Sequence, residues 1–451
     1  MNEAFEQFFD DALLTRVAED YTIPERYFTS KVKRGLRNAD GTGVNAGVTR
    51  VGRVIGYNMD EDGEPVPTAG RLYYRGVNVK QIVEAHAANG TFGYEECAFL
   101  LLVGHLPTAE ELARFDAMLS AARALPAGFN EDTIFRNPGR DIMNKLASCV
   151  LTLYSYDENP DDTDLRNMLR QSVQLVARFP SIVANTYAAK RHYIDGHSLY
   201  IHYPREDLSV AENFLLMLDP HKSYTAEEAH LLDILMMLHA EHGGGNNSSF
   251  ACRVLSSSGT DTYSAVAGAV GALKGPLHGG ANARVCAMLD DIRAHVDDPG
   301  NDGAMRAYLN RILDGKANDG SGKIYGLGHA VYTLSDPRAE IIRGYAARMA
   351  EEKGLQKDFA YILAVEKLGG ELLTQRRHTE RPLCANIDLF SGFVIEMLGI
   401  PIELFTPLFA ISRISGWCAH RMEEVISARR IMRPAYRTAM RSAEYISIEN
   451  R

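Results

Sequence analysis

Three glycine-containing segments in the second half of the chain each carry one ionisable side chain. They read GPLHGGAN, GLGHAVYTLSDPRA and NIDLFSGF, and they contain His278, His329 and Asp388, respectively. Two imidazoles and a carboxylate are sufficient to remove a proton from carbon and to stabilise the resulting enolate. Glycines beside a histidine leave room for a substrate and expose backbone N–H groups. The segments therefore predict acid–base chemistry at a carbon centre.

Two of these residues also have structural interpretations. His278 precedes a predicted helix at Asn282, where a neutral imidazole is favoured over a cation, but it could equally be a turn histidine in solvent. Asp388 stands among apolar residues, and partial burial would raise its pKa and make it a better base near neutrality. Alternatively, Asp388 could cap a helix that starts near Ser391. The local sequence leaves both pairs of interpretations open.

The segment HAEHGGGNN allows three interpretations of its histidines. His239 and His242 are three residues apart and are predicted to share one face of a helix end. They could be structural, because a helix C-terminus favours a cationic histidine. They could bind an anion, or they could be two ligands of a zinc site. Zinc needs further ligands, and no other His or Cys pair in the chain has matching spacing.

Glycines and arginines near the ionisable residues suggest an anionic ligand. Gly326 and Gly328 lack the third glycine of a dinucleotide motif and follow no clear strand, so they predict a loop around a flat ring or a phosphate. Arg338 is either a carboxylate clamp or a surface residue of its helix. Arg413 lies in an apolar helix and requires a partner, for which a bound carboxylate would serve. Arg433 by itself is typical of a solvated basic tail.

Composition limits the class of protein. The chain has 451 residues, 46% of them hydrophobic and 24% charged, as expected for a large globular protein. Its net charge of −10 argues against nucleic acid as the main partner. The six cysteines form no metal-type pair, and no apolar run is long enough to span a bilayer. The acidic N-terminus does not resemble a targeting peptide, so we expect a cytoplasmic protein without a membrane partner.

Helical periodicity dominates the chain, and the elements that position the candidate residues are mostly helices. Thr108 and Thr225 each begin a capping box that predicts a helix start. Further helices are predicted over 226–242 and roughly 404–429. Two strand-like runs, 51–57 and 71–74, predict a small hairpin. Glycine-rich loops and Pro401 suggest three segments: 1–279 and 401–451 as one domain, and 280–400 as a second.

Together, the ordered motifs resemble the citrate synthase family. The resemblance covers most of the chain, from about Gly70 (GRLYYRGVNV) through HAEHGGGNN and the three segments above to RIMRPAYR. It implies an all-α, two-domain fold: a large helical domain (1–279 and 401–451), an inserted small helical domain (280–400) and a minor β-hairpin near the N-terminus. It also implies an obligate homodimer that closes around its substrates.

The resemblance implies a catalytic triad and an acyltransferase reaction of the tricarboxylic acid cycle. Asp388 would remove a methyl proton from acetyl-CoA, and His278 would stabilise the enol. His329 would polarise the oxaloacetate carbonyl and supply a proton to the new alkoxide. Hydrolysis of citryl-CoA would then release citrate and CoA. Abstraction of a carbon-bound proton by a carboxylate needs simultaneous stabilisation of the oxyanion, which agrees with this assignment.

The same resemblance implies the binding residues. His242, Asn246, Arg338 and Arg413 would bind the carboxylates, together with Arg433 of the partner subunit. The backbone of the CoA loop, which we define as Lys323, Ile324, Tyr325, Gly326, Leu327 and Gly328, would hold the adenine. No metal and no cofactor other than the CoA thioester substrate is implied.

Two departures from the family pattern leave the substrate open. Thr333 stands where many members have a basic residue that contacts a CoA phosphate, and Leu389 and Phe390 follow the catalytic aspartate where many have histidine or tyrosine. The second change could reshape the acyl pocket, so a 2-methylcitrate synthase that uses propionyl-CoA is an alternative. The sequence is also compatible with a citryl-CoA-cleaving enzyme, with a non-catalytic dicarboxylate- or CoA-binding relative, and with a metal-dependent hydrolase that uses His239 and His242.

Overall fold

The computed structural model of the chain describes residues 11–28, 32–38, 42–218, 223–377, 383–428 and 430–451. Its internal contacts divide the chain into two compact units. The first consists of Met1–Asn45 and Met432–Arg451, and the second of Ala46–Ile431. Every element that carries a predicted catalytic residue belongs to the second unit.

The first unit is small and largely exposed. It contains helix α1, Asp11–Tyr21, which buries none of its residues, and single 3-10 turns at Glu25–Tyr27, Arg34–Leu36 and Ile448–Asn450. Arg34 forms an ion pair with Glu25 and lies over the ring of Phe28. Because both charges are well exposed, this pair contributes little to stability.

The second unit begins with the predicted hairpin. Strands β1, Gly52–Met59, and β2, Pro65–Tyr74, are antiparallel, with Gly52 opposite Tyr74, and β3, Val77–Asn78, extends the sheet. The Asp60 carboxylate accepts hydrogen bonds from the backbone N–H groups of Asp62 and Glu64, which closes the turn. This satisfies backbone groups that a turn otherwise leaves open.

The rest of the second unit is helical, which confirms the all-α prediction. Its α-helices are α2 Val79–Asn89, α3 Tyr94–Val103, α4 Ala109–Ala122, α5 Ile142–Leu153, α6 Leu165–Tyr193, α7 Val210–Leu218, α8 Ala226–His239, α9 Asn247–Ser256, α10 Thr262–Lys274, α11 Ala281–His295, α12 Asp302–Leu313, α13 Pro337–Glu352, α14 Gln356–Ala364, α15 Gly370–Arg377, α16 Asp388–Met397 and α17 Phe405–Glu423. The capping boxes of Thr108 and Thr225 are present, and they begin α4 and α8.

Helix α17 lies in the centre of the second unit. It packs against α3, α6, α8, α9 and α10, and 16 of its 19 residues are buried. A helix that is surrounded on all sides has no polar face, so its charged residues require internal partners. Arg413 and Arg421 are such residues, each at most 1% exposed.

Two predicted helix ends differ from the structure. Helix α8 ends at His239 rather than at residue 242, because the chain turns at Gly243, which has a positive φ of 82°, and the Gly243 N–H donates to the Glu241 carboxylate. Helix α17 ends at Glu423 and continues as a π-turn, Glu424–Ala428. Residue 429, the predicted end, lies outside the described residues.

Helices α11, α13, α14 and α16 pack against one another: α16 contacts the other three, and α14 contacts α11 and α13. These helices fall within 280–400, the range predicted to form the small domain. The division at residues 279 and 401 remains a prediction.

Candidate active site

The loops that carry His329 and Asp388 meet within the second unit, and His242 lies beside His329. The imidazole rings of His242 and His329 contact each other edge to face, with centroids 5.1 Å apart. The loop that carries His329 pairs with the segment that leads to Asp388: the Asn386 N–H donates to the Gly326 carbonyl, and the Asn386 amide donates to the Gly328 carbonyl. Residues far apart in sequence are therefore brought into one region.

His329 is held by its own loop in a defined orientation. The backbone N–H groups of Val331 and Tyr332 both donate to its Nδ1 atom at 3.0 Å. Because Nδ1 accepts, the proton of the neutral ring is on Nε2. Gly326 and Gly328 have φ of 84° and 85°, and a Cβ on Gly326 would lie 2.8 Å from Leu389 Cβ. The loop thus requires glycine at Gly326 for both conformation and space.

His278 is a half-buried, neutral imidazole. Its Nε2 lies 3.1 Å from the Ser248 hydroxyl, which also accepts a hydrogen bond from Trp417 Nε1. Burial, assisted by the positive charge of Arg413, lowers the pKa of His278 to about 4. The expected neutral state is therefore present, but burial is its main cause rather than the helix terminus. The interpretation as a solvent-exposed turn histidine is wrong.

Asp388 is the first residue of α16 and does not cap the helix. Its backbone N–H donates to the Asn386 side-chain oxygen at 3.0 Å, and no side chain caps the helix from Ile387, so the capping interpretation is wrong. Burial raises the pKa of Asp388 to about 6, against the opposing effect of Arg338. A carboxylate with a pKa near 6 is ionised at neutral pH and is a stronger base than an exposed aspartate.

The two arginines predicted to bind carboxylates are both buried. Arg338 is 4% exposed and forms a two-point ion pair with Asp336, so the surface interpretation of Arg338 is wrong. Arg413 is fully buried, lies over the Phe409 ring and donates from Nε to the His239 carbonyl. Its Nη1 and Nη2 atoms have no hydrogen-bond partner among the described residues. Two unpaired guanidinium nitrogens fit a carboxylate.

The histidines of HAEHGGGNN do not share a helix face, because His242 follows the end of α8. Burial, with Arg338 as the next cause, lowers the pKa of His239 to about 3, so its interpretation as a cationic helix cap is wrong. Burial, Arg338 and His329 likewise hold the pKa of His242 well below its usual value. No cluster of three or more potential His, Cys, Asp or Glu metal ligands occurs within the described part of the chain.

Glu241 anchors the turn between these two histidines. It is fully buried, and one of its oxygens accepts hydrogen bonds from Gly243 N–H and from His420 Nε2. Arg253 Nε donates to His420 Nδ1, so His420 carries its own proton on Nε2. No local sequence pattern predicts this network, because its members come from one turn and from two helices that are far apart in the sequence.

Asn246 and the CoA loop form contacts with neighbouring protein side chains. The Asn246 side-chain oxygen accepts from the Ser248 hydroxyl at the start of α9. Tyr325 contacts Asp319 and Ser321 through its hydroxyl, and Arg284 lies over its ring. Arg284, on the first turn of α11, was not predicted. The roles of Asn246 and of Lys323, Ile324, Tyr325, Gly326 and Gly328 in ligand binding remain predictions.

The structure also shows the contacts of the residues that depart from the family pattern, Thr333, Leu389 and Phe390. Thr333 donates from its hydroxyl to the Gly56 carbonyl of β1 at 2.6 Å, so its side chain is used to hold the His329 loop against the sheet. Leu389 and Phe390 are fully buried in the hydrophobic core, with Phe390 near Phe359. Arg433 is exposed and belongs to the first unit, and its part in the site remains a prediction.

Comparisons with known proteins identify the family of this chain. Residues 40–435 match the family model "Citrate synthase, C-terminal domain". The chain is 38% identical to citrate synthase of Deinococcus radiodurans over 82% of this chain and 91% of that protein. It is 34% identical to 2-methylcitrate synthase of Shewanella oneidensis over 84% and 90% of the two chains.

Solved structures give the same result. Citrate synthase of Thermoplasma acidophilum, in a ternary complex with carboxymethyl coenzyme A and oxaloacetate, superimposes with a TM-score of 0.74. The two sequences are 28% identical, and the match covers 90% of this chain and 97% of the other. None of the described helices is long and apolar enough to cross a membrane.

Proposed function

The chain belongs to the citrate synthase family, and we propose that it condenses acetyl-CoA with oxaloacetate and water to give citrate and CoA. The observation that supports this proposal is the protonation state of the three predicted catalytic groups. Asp388 has a pKa raised to about 6, His278 is neutral, and His329 carries its ring proton on Nε2. These are a base, a donor for an enol oxygen and a donor for a carbonyl oxygen.

In the first step, Asp388 takes a proton from the acetyl methyl group while His278 donates a hydrogen bond to the thioester oxygen. His278 Nε2 contacts the Ser248 hydroxyl, so in this proposal Nδ1 is the atom that donates to the thioester oxygen. The single proton of the Ser248 hydroxyl has two acceptors within reach, the Asn246 side-chain oxygen and His278 Nε2. In this proposal, the catalytic state is the one in which Ser248 donates to Nε2. The imidazole proton is then on Nδ1, which is the tautomer that can donate to the enol.

In the second step, His329 Nε2–H polarises the ketone of oxaloacetate, and the enol carbon attacks it. The proton that His329 supplies neutralises the new alkoxide and completes citryl-CoA, and the proton that Asp388 took from the methyl group restores the His329 imidazole before the next turnover. Water then cleaves the thioester, which releases CoA and makes the reaction irreversible in practice. Exclusion of bulk water by a closed site protects the enol before the carbon–carbon bond forms.

Arginines and neutral polar side chains bind the carboxylates in this proposal. Arg338, Arg413 and neutral His242 contact the dicarboxylate directly, with Asn246 nearby and Arg433 of the partner subunit completing the set. The unpaired nitrogens of Arg413 support this assignment, because a buried guanidinium without a carboxylate is costly. The proposal includes a homodimer in the cytoplasm that acts in the tricarboxylic acid cycle and needs neither metal nor redox cofactor.

The main alternative within this chemistry is a different acyl donor, propionyl-CoA in place of acetyl-CoA. 2-Methylcitrate synthases of Shewanella oneidensis and Corynebacterium glutamicum are 34% and 32% identical to this chain. One additional methylene changes binding in an apolar pocket by only about 1–3 kcal/mol, so use of propionyl-CoA is physically accessible.

Release of free thiol from acetyl-CoA and from propionyl-CoA, each with and without oxaloacetate, tests both possibilities. The assay contains a chelator, so a metal-dependent hydrolase gives no signal. We expect release that requires oxaloacetate, with kcat/KM higher for acetyl-CoA. No release with either donor, but a rise in Tm on addition of oxaloacetate, would instead indicate a non-catalytic binding protein.

A further inference from the structure

Tyr332, like two of the predicted substrate-binding residues, has a buried polar atom without a hydrogen-bond partner among the described residues. His242 Nε2, the Arg413 Nη atoms and the Tyr332 hydroxyl are all buried polar atoms that lack a hydrogen-bond partner among the described residues. Nearly all buried polar atoms in proteins are paired, so an unpaired one requires an explanation. For His242 and Arg413, the proposed function provides it: a bound carboxylate.

The ring of Tyr332 lies at the centre of the same group of residues. Its centroid is 4.6 Å from that of His329 and 5.5 Å from that of His242. The guanidinium carbon of Arg338 lies 5.7 Å from the ring centroid. Tyr332 therefore contacts three residues that are predicted to bind or polarise oxaloacetate.

The packing around Tyr332 restricts where its hydroxyl can move. The residue is 2% exposed, and its own N–H donates to His329 Nδ1. A Cβ on Gly70 would lie 2.9 Å from the Tyr332 ring, so strand β2 approaches the ring closely from that side. A clamped ring directs the hydroxyl without further loss of conformational freedom on binding.

The ionisation state of Tyr332 is also suited to an anionic ligand. Burial raises the pKa of the Tyr332 hydroxyl, although the nearby Arg338 lowers it. The group therefore stays protonated at neutral pH and can donate a hydrogen bond without repelling a carboxylate.

We propose that Tyr332 is a substrate-binding residue, whose hydroxyl donates a hydrogen bond to a carboxylate of oxaloacetate beside Arg338 and His242. This inference rests on the proposed function and adds a residue to its dicarboxylate site. A donor that binds the ground state and the transition state equally lowers KM and leaves kcat unchanged.

The test is the substitution Tyr332→Phe, which removes only the hydroxyl. We expect KM for oxaloacetate to rise about tenfold, with kcat and KM for acetyl-CoA within about twofold of wild type. Because the hydroxyl has no partner among the described residues, its removal should leave Tm unchanged or raise it. The increase in Tm on addition of oxaloacetate becomes smaller.

Tyr361→Phe is the matched control. Tyr361 is also buried, but its hydroxyl donates to the Val296 carbonyl at 2.6 Å, away from the site. This variant lowers Tm and leaves both KM values unchanged.

Two results would overturn the inference: an unchanged KM for oxaloacetate in Tyr332→Phe, or a lower Tm accompanied by equal losses in kcat and kcat/KM. The wild-type assay separates failure of this inference from failure of the proposed function. If wild type releases no thiol in the presence of oxaloacetate, the proposed function itself is wrong.

Discussion

Arg338 and Asp336 form a buried two-point ion pair across a single intervening residue. Arg338 donates from Nε to Asp336 Oδ1 at 3.0 Å and from Nη2 to Oδ2 at 2.7 Å. The same Asp336 caps helix α13 and accepts a hydrogen bond from the N–H of Ile387, which directly precedes Asp388. Burial opposes ionisation of Asp336, but Arg338 brings its pKa below the usual value. One carboxylate thus orients both a predicted binding residue and the backbone next to the predicted base Asp388.

The substitution Asp336→Asn tests this relationship. Asparagine can still cap the helix, but it leaves the buried Arg338 without a counter-charge. We expect a lower Tm and a KM for oxaloacetate that rises about tenfold or more. Asp141→Asn is the control, because Asp141 caps α5 at an exposed position and its replacement should change neither quantity. A wild-type KM in Asp336→Asn would show that the pair does not position Arg338.

Asp388→Asn should abolish turnover while retaining oxaloacetate binding. Loss of a general base costs about 10²–10⁴-fold in kcat. The substitution should also stabilise the protein at pH 7. The raised pKa of Asp388 means that the folded state binds its proton more tightly than the unfolded state, so stability falls as pH rises from about 4 to 6. Thermal unfolding at pH 5 and pH 7 should therefore show a larger gain in Tm for the variant at pH 7.

The activity of wild type should have an acidic limb with a midpoint near pH 6. Below this pH, Asp388 is protonated and cannot accept the methyl proton. His278 and His239, whose pKa values are lowered to about 4 and 3, do not titrate in this range. The measurement is kcat/KM between about pH 4.5 and 8, in steps of roughly half a unit. A limb that appears only below about pH 4.5 would contradict the role of Asp388 as a desolvated base.

Arg413 and Arg421 offer a matched pair of buried arginines on α17. Arg413 has two unpaired nitrogens among the described residues, whereas Arg421 donates to Thr262, Ser256 and Thr260. Arg413→Met should raise KM for oxaloacetate about 100-fold or more, because it removes a buried charge that the ligand pairs with. Arg421→Met should lower Tm and leave this KM unchanged. Equal effects of both substitutions on KM would indicate a structural role for Arg413.

Mixed dimers test the predicted contribution of Arg433 of the partner subunit. A chain with Arg433→Met and a chain with Asp388→Asn should each be nearly inactive as homodimers. Co-expressed at equal levels, they should recover about a quarter of wild-type activity, because half of the dimers are mixed and each mixed dimer has one intact site. No recovery, despite mixed dimers detected by differently tagged chains, would mean that Arg433 acts within its own subunit or not at all.

The sequence by itself determined the helices and the chemical groups of this protein. Capping boxes at Thr108 and Thr225 and the hairpin at the start of the second unit follow from residues within a few positions of one another. The family was also recognisable, because its motifs occur in a fixed order. Short-range hydrogen bonds depend on residues close together in the sequence, and motif order is itself part of the sequence. Both can therefore be predicted without a structure.

The tertiary structure decided the charge state and the partners of those groups. His239 was interpreted as a possible cation, but burial beside Arg338 makes it neutral. Ser248 joins His278 to Trp417, which lies 169 residues beyond Ser248 along the chain, and no local pattern indicates that contact. Burial and electrostatic fields depend on atoms that come together only on folding. For that reason, the sequence predicted the reacting residues, whereas only the structure showed that His242 and Arg413 have buried polar atoms without a hydrogen-bond partner among the described residues.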